Sequence, residues 1–371
     1  MAEGQGYEMN LFKTTEGSTG RLLQLCIGYF SFYVVTGVTV KYFTGSAAAG
    51  LPGMNEIEYL AFNTIGGNLI CLVVVLLFGW YHLTTIRRIK AGPVIIPMEY
   101  LYIIPSGICT AIVIPTTTLM YLLPISVMVA MVIMRASVII ISRTVDALQI
   151  RQGILKKHVY REENIAVLFA LSAAAVNILW VGPGDFEFVH SVPAMVILGS
   201  YIVAYSIRIY IMNYYKNTRP AGTKLDNQGF FAIEQISASA AMVLAGILLF
   251  VLPAWTGSTS RVLLKFHTAF ISPHPIWPWA VVSGLAYGMV AFFSVFIFMF
   301  KGRTATFAGL VNRLTSLVAG TTATIISYLL FQDRFPKPQD WLSLVFIFIA
   351  VGFLSVAERK RTAELARTPA H

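Results

Sequence analysis

The sequence predicts an all-α integral membrane protein with ten transmembrane helices in two inverted five-helix repeats. Three observations carry this expectation: an apolar, charge-poor composition, ten apolar runs of spanning length, and matching polar residues in the two halves. Of the 371 residues, 57% are hydrophobic and only 12% are charged, with a mean hydropathy of +0.71. A soluble domain carries about 25% charged residues. Length here therefore measures the number of spans rather than the number of soluble domains.

The net charge of +10 would suit nucleic acid if the basic residues formed a stripe. They lie instead in short loops between apolar runs, which argues against a nucleic-acid partner and for the lipid bilayer. No zinc-ligand spacing, nucleotide motif or catalytic constellation stands out, so neither a metal or other cofactor nor enzymatic activity is expected. Cys26, Cys71 and Cys109 fall inside apolar runs and read as small buried residues, not a disulfide framework. The first twenty residues are polar and lack an apolar core, so no cleaved signal peptide is expected. There is no N-x-S/T sequon.

A span needs roughly 17–25 mostly apolar residues. Runs that meet this lie at about 22–43, 58–83, 97–119, 123–149, 163–181, 191–214, 230–253, 277–300, 305–331 and 340–357. They divide the chain into an N-terminal segment (1–21), a first repeat (22–181), a second repeat (191–357) and a tail (358–371). Spans three and four are separated only by Tyr121-Leu122-Leu123-Pro124. Lysine and arginine in short loops set the orientation. With the N-terminus cytoplasmic, Arg87, Arg88, Lys90, Lys156, Lys157, Arg161, Lys216, Lys301, Arg359 and Arg361 all fall inside. Arg261, Lys265, Arg334 and Lys337 fall outside. That bias predicts both termini in the cytoplasm and suits a bacterial inner membrane. A Golgi or plastid membrane would leave the same marks.

Arg135 and Arg313 stand deep inside predicted spans, in Met134-Arg135-Ala136-Ser137 and Asn312-Arg313-Leu314-Thr315. An arginine there is costly and usually functional. Their places correspond between the halves. So do Ser106-Gly107 with Ser283-Gly284, Glu162 with Asp340, and Tyr29 and Tyr33 with Tyr201 and Tyr205, in order and at a nearly constant offset. Five spans per half make the second half enter from the opposite side, which inverts the repeat.

At this point the chain resembles the drug/metabolite transporter superfamily, in its EamA-like and nucleotide-sugar-transporter-like forms. Residues Gly309 to Val356 carry most of the likeness. They contain Leu329-Leu330-Phe331-Gln332-Asp333, a proline-containing turn, and Gln339-Asp340-Trp341 opening a last apolar helix with Gly352. Pro124-Ile125-Ser126 through Val138-Ile139 is similar to the nucleotide-sugar branch. The resemblance implies ten helices in two inverted halves and a transport function, with Asp333 as the acidic residue after the penultimate helix. The first half departs from it at Gln149-Ile150-Arg151-Gln152-Gly153, which has no carboxylate.

Arg135 and Arg313 read as a cationic clamp, because guanidinium offers a planar fork to phosphate or carboxylate. The plainer alternative is arginine bonded to backbone carbonyls. Tyr29, Tyr33 and Thr36, and likewise Tyr201, Tyr205 and Arg208, fall on single helix faces, as cavity lining or as packing. Asn312 is a candidate for amide bonds to a substrate and Asn63 is a further candidate. Arg208 and Glu234 are placed to pair, as a gate or a static bridge. Glu99 is a coupling candidate or a helix-terminus carboxylate. Arg143 and Asp146 have the spacing of an ion pair within one helix. Asn63, Asn68 and Asn177 are expected by default to bond between helices, and Gly66-Gly67 to let helices approach. The loop 254–276 and the roles of Pro105, Pro115 and Pro124 are open. The basic tail Glu358–Arg367 reads as a solvated orienting tail or as a contact for anionic headgroups.

The function expected is secondary active transport of an anionic or zwitterionic organic metabolite, with a nucleotide sugar or phosphorylated compound favoured. It would proceed by alternating access, with exchange fitting the scarcity of intramembrane carboxylates. The alternative is a flippase for a phosphate-bearing lipid or lipid-linked sugar, marked by a lateral gap beside the two arginines. A non-transporting scaffold is a third class. The oligomeric state is open, with a homodimer as one option.

Overall fold

The computed structural model describes residues 17–91, 94–122, 127–178, 192–220, 223, 225–257, 260–332 and 335–367. In chain order these form α1 (Thr19–Thr44), α2 (Glu56–Leu77), strands β1 (Arg88–Ala91) and β2 (Val94–Pro97), α3 (Tyr100–Leu122), α4 (Val127–Arg151) and α5 (Arg161–Ile178). Then follow α6 (Val192–Thr218), α7 (Asn227–Thr256), α8 (Arg261–Ile271), α9 (Trp277–Phe298), α10 (Ala305–Phe331) and α11 (Pro338–Arg367). Eight of them, α1, α2, α3, α6, α7, α9, α10 and α11, have stretches long and apolar enough to cross a membrane. The protein is an all-α, multi-pass membrane protein.

Its surface agrees with that medium. Leu69, Leu77, Val243, Leu244, Trp279, Leu329 and Phe348 point outward and exposed, while Asn63, Asp146, Arg208, Glu234 and Asn312 are buried. Water would penalise so much apolar surface. Lipid instead penalises unpaired polar groups and drives them inward.

The helix ends follow side-chain chemistry. Ser18, Asn55, Asp226 and Thr304 cap α1, α2, α7 and α10 by accepting from the backbone N–H groups of Arg21, Ile57, Gly229 and Phe307. Gly257, at φ 63°, closes α7 in a left-handed turn that glycine adopts without a steric cost. The Oγ of Thr19, at the start of α1, donates to Glu358 near the end of α11 at 3.0 Å. The first and last helices thus share one end of the bundle, here called the terminal end.

The two halves interlock. Helix α2 lies along α9, α3 along α6 and α7, α1 along α9 and α10, and α5 along α11. Glycines make the tightest of these contacts. A Cβ at Gly284 would stand 2.1 Å from the Asn63 carbonyl oxygen, and one at Gly107 would stand 2.5 Å from that of Glu234.

Several elements differ from the sequence expectation. Helix α2 stops at Leu77, and Trp80 folds back onto Phe231 and Phe292. The following loop holds the β1–β2 hairpin, with Arg88 opposite Pro97. Helix α3 runs through Pro105 and Pro115 without a break. The loop 254–276 contains α8, a short helix whose Phe270 packs on Phe62 and Phe250. Helix α11 continues past residue 357 to Arg367. Pro124, Lys224, Asp333, Arg334 and the Asn177 side chain lie outside the described residues, as does the expected boundary between repeats.

Candidate functional site: an arginine–tyrosine centre between two polar clusters

Four helices deliver the predicted centre. Tyr29 and Tyr33 of α1 lie one turn apart, with ring centroids 5.6 Å apart and planes at 53°. Tyr201 and Tyr205 of α6 repeat this at 5.1 Å and 54°. Arg313 of α10 donates from Nη2 to the Tyr205 hydroxyl at 2.6 Å, with its guanidinium carbon 5.2 Å from the Tyr205 ring centroid. Both Arg313 and Arg135 of α4 lie within electrostatic range of Tyr29. Arg135 is close to α10 because residue 320 is glycine: a Cβ there would lie 3.3 Å from its Nη2. Tyr201 donates to the Met134 carbonyl at 3.3 Å, beside Arg135.

Neither guanidinium is neutralised by a carboxylate among the described residues. The Arg313 Nε is enclosed and has no hydrogen-bond partner. Such an orphan donor is uncommon in a folded interior. Asn312 sits beside this centre on α10. It donates to the Ser294 hydroxyl at 2.9 Å and faces the Tyr29 hydroxyl at 3.5 Å. Two groups join that the sequence did not single out. Tyr287 of α9 lies within electrostatic range of Tyr205 and Tyr33, and Ser294 holds Asn312. Tyr287 is one turn after Ser283, the signal that would have found it.

Toward the terminal end lies a charged cluster. Arg208 Nε and Nη2 donate to the two Glu234 carboxylate oxygens at 2.9 and 3.1 Å. The Ser106 hydroxyl donates to Glu234 at 2.7 Å and Thr110 at 3.2 Å. The expected pair therefore forms, with its carboxylate fully enclosed. Toward the opposite end lies a neutral cluster. Asn63 Nδ2 donates to the hydroxyls of Ser283 at 3.0 Å and Tyr59 at 3.1 Å, and Tyr59 and Ser283 are 3.1 Å apart. Asn63 thus lies outside the tyrosine–arginine centre.

Glu99 stands at the foot of α3, at the terminal end. It accepts from Thr85 Oγ at 2.7 Å and the Ile86 N–H at 2.9 Å, and lies 3.8 Å from Arg219. The expected Arg143–Asp146 pair does not form. Arg143 reaches across to the Asn164 side chain at 2.9 Å. Asp146 accepts from the Ala305 and Thr306 N–H groups at 2.8 and 2.6 Å, because free helix N-terminal donors attract a carboxylate. Asn68 does bond between helices, accepting from Ser239 of α7 at 3.0 Å. Among the described residues no cluster of His, Cys, Asp and Glu could hold a metal ion.

No family model matches the chain, and no curated protein matches it. Solved structures do resemble it. One, described only as the crystal structure of a protein, superposes with a TM-score of 0.52 at 13% identity, covering 92% of this chain and 99% of its own. At that identity the likeness concerns the fold alone.

Proposed function

We propose that this protein is a secondary transporter of the drug/metabolite type, carrying an anionic organic metabolite through the membrane by alternating access. The observation that carries the reading is the pair Arg135 and Arg313, brought to one centre with four tyrosines and, among the described residues, no carboxylate partner. Uncompensated guanidinium is expensive in such surroundings. An anion with phosphate or carboxylate oxygens compensates it, and the tyrosine rings offer faces for a base or sugar. A nucleotide sugar or phosphorylated metabolite has both features. Exchange follows from the same cost, since the emptied centre favours return with a counter-anion.

The ten-span inverted repeat belongs to this proposal, with α8 lying outside the repeat. Exchanging the halves maps α1 on α6, α2 on α7, α3 on α9, α4 on α10 and α5 on α11. The packing partners then exchange as well: α2 with α9 becomes α7 with α3, and α1 with α10 becomes α6 with α4. Ser106 on Glu234 and Ser283 on Asn63 become counterparts. The two polar clusters would break in turn as the halves rock. The basic loops favour cytoplasmic ends and fit a bacterial inner membrane.

The lipid-flippase alternative draws less support. The lateral groove beside α10 is lined by Leu314 and Thr315 but by neither arginine.

The test is thermal stabilisation of the purified protein across nucleotide sugars, phosphorylated metabolites, amino acids and lipid phosphates. A ligand of the folded state raises its apparent stability. The reading expects an anionic hit that is lost in Arg135→Gln and Arg313→Gln. A neutral or cationic hit that survives both replacements overturns it.

A further inference from the structure

A groove of about 860 Å³ opens on the side of the bundle between α1, α10 and α11. That is within the roughly 300–1,000 Å³ of sites that hold small molecules. Its wall is apolar, built by Leu22, Cys26 and Phe30 of α1, Val311 and Leu314 of α10, and Val351 of α11. Its mouth is polar and sits at the terminal end, where Thr19, Glu358, Arg359 and Thr362 meet. Apart from the Thr315 hydroxyl, which is engaged with the Cys26 side chain, the groove is apolar along its depth and carries its charges at one end, the profile of a lipid rather than of a soluble metabolite.

The charges at the mouth select among lipids. Glu358 is already neutralised: Arg303 donates to it from Nε at 2.9 Å and also from Nη2, and Thr19 donates at 3.0 Å. Its neighbour Lys360 is taken by Glu162. Arg359 is exposed and has no partner among the described residues. Among the described residues the mouth therefore presents one uncompensated cation, flanked by the Thr19 and Thr362 hydroxyls.

We propose that this groove is a binding site for an anionic phospholipid, with an acyl chain along α1 and α10 and the headgroup phosphate at Arg359. Headgroups lie at the depth of the helix ends, where arginine reaches them. The site is separate from the arginine–tyrosine centre and goes beyond the transport reading.

The experiment titrates the purified full chain in detergent with phosphatidylglycerol and phosphatidylcholine of identical acyl chains. Binding is read by native mass spectrometry and melting temperature. Phosphatidylglycerol is expected to bind more tightly. Arg359→Gln is expected to weaken it about fivefold, the worth of one basic residue at a membrane surface, and to leave phosphatidylcholine unchanged. Arg359→Lys retains the preference. Ile27→Trp with Val351→Trp, which fill the groove, weaken both lipids. Equal binding of the two lipids overturns the proposal. So does a phosphatidylglycerol preference that survives Arg359→Gln, or unaltered binding in the filled groove. Arg359 is exposed, so its variants test the headgroup site even if the filled groove does not fold.

Discussion

Arg208 and Glu234 form a two-pronged ion pair, with N–O distances of 2.9 and 3.1 Å, between α6 and α7. Ser106 and Thr110 of α3 add their hydroxyls to the same carboxylate oxygen. One Glu234 oxygen thus accepts three hydrogen bonds and the other accepts one. Removing one charge strands the other in a buried place, which costs about 3–5 kcal/mol. Glu234→Gln is accordingly expected to lower the melting temperature sharply. Replacing both residues by leucine, which leaves no unpaired charge, is expected to cost less than Glu234→Gln alone. A double variant that is less stable than Glu234→Gln would show that the pair stabilises by more than mutual neutralisation.

The cluster at the other end holds no charge. Asn63, Tyr59 and Ser283 share hydrogen bonds between α2 and α9, and such intramembrane bonds average about 0.6 kcal/mol. Under the transport reading the terminal end is then the harder one to open. Glu234→Gln is expected to admit a water-soluble thiol reagent to Tyr33→Cys from the terminal side, with Asn63→Ala giving a smaller rise from the opposite side. Measured in sealed vesicles of known orientation, equal effects from both sides would count against unequal locks.

Close packing of α2 on α9 depends on residues 66 and 284 having no side chain. A Cβ at Gly284 would lie 2.1 Å from the Asn63 oxygen, and one at Gly66 would lie 1.9 Å from that of Val281. Both obstacles are backbone, so the helices themselves must separate. Overpacking of this kind costs about 1–3 kcal/mol. Gly284→Ala is expected to lower the melting temperature by several degrees. Gly199→Ala on α6 has open space within 4 Å and gains helix propensity, so it is expected to be neutral or stabilising. Similar melting temperatures for the two variants would contradict the close-contact argument.

How much of this was legible depends on the range of the interaction. The apolar runs give the long helices directly, because lipid demands a local property of every span. The convergence of Tyr29, Tyr33, Arg135, Tyr201, Tyr205 and Arg313 was legible through their matched positions in the two halves. Arg208 with Glu234 was legible because the residues flank one loop. Asp146 was misread. Its sequence neighbour Arg143 offered a local partner, but the first turn of α10, remote in sequence, offered two free N–H groups. Asn63 was legible as polar and buried, but not as the partner of Ser283 on α9. The hairpin and α8 fall between the apolar runs of spanning length, in segments that read as connections. The α8 amphipathic pattern, with Phe266 and Phe270 one turn apart, was the available signal.

Lys157 lies in the loop between α4 and α5, where burial and the nearby charges of Arg361, Arg303 and Lys301 pull its pKa down to about 8. An exposed lysine in the unfolded chain titrates near 10.4. Below about pH 8 both states hold the proton, and the folded state bears the cost of that partly buried charge. Between about pH 8 and pH 10 the unfolded chain binds more protons than the folded one, so this residue makes stability rise with pH. Above that window both are neutral and the cost is gone. Lys157→Gln is therefore expected to stabilise the protein at about pH 7, by an amount on the order of 1–3 kcal/mol. That gain is expected to shrink toward zero at about pH 10. The comparison needs only melting temperatures of the two proteins across that range. A gain that stays constant with pH would assign the effect to packing of the lysine stem, and a loss at about pH 7 would mean that the ammonium is held by a favourable contact.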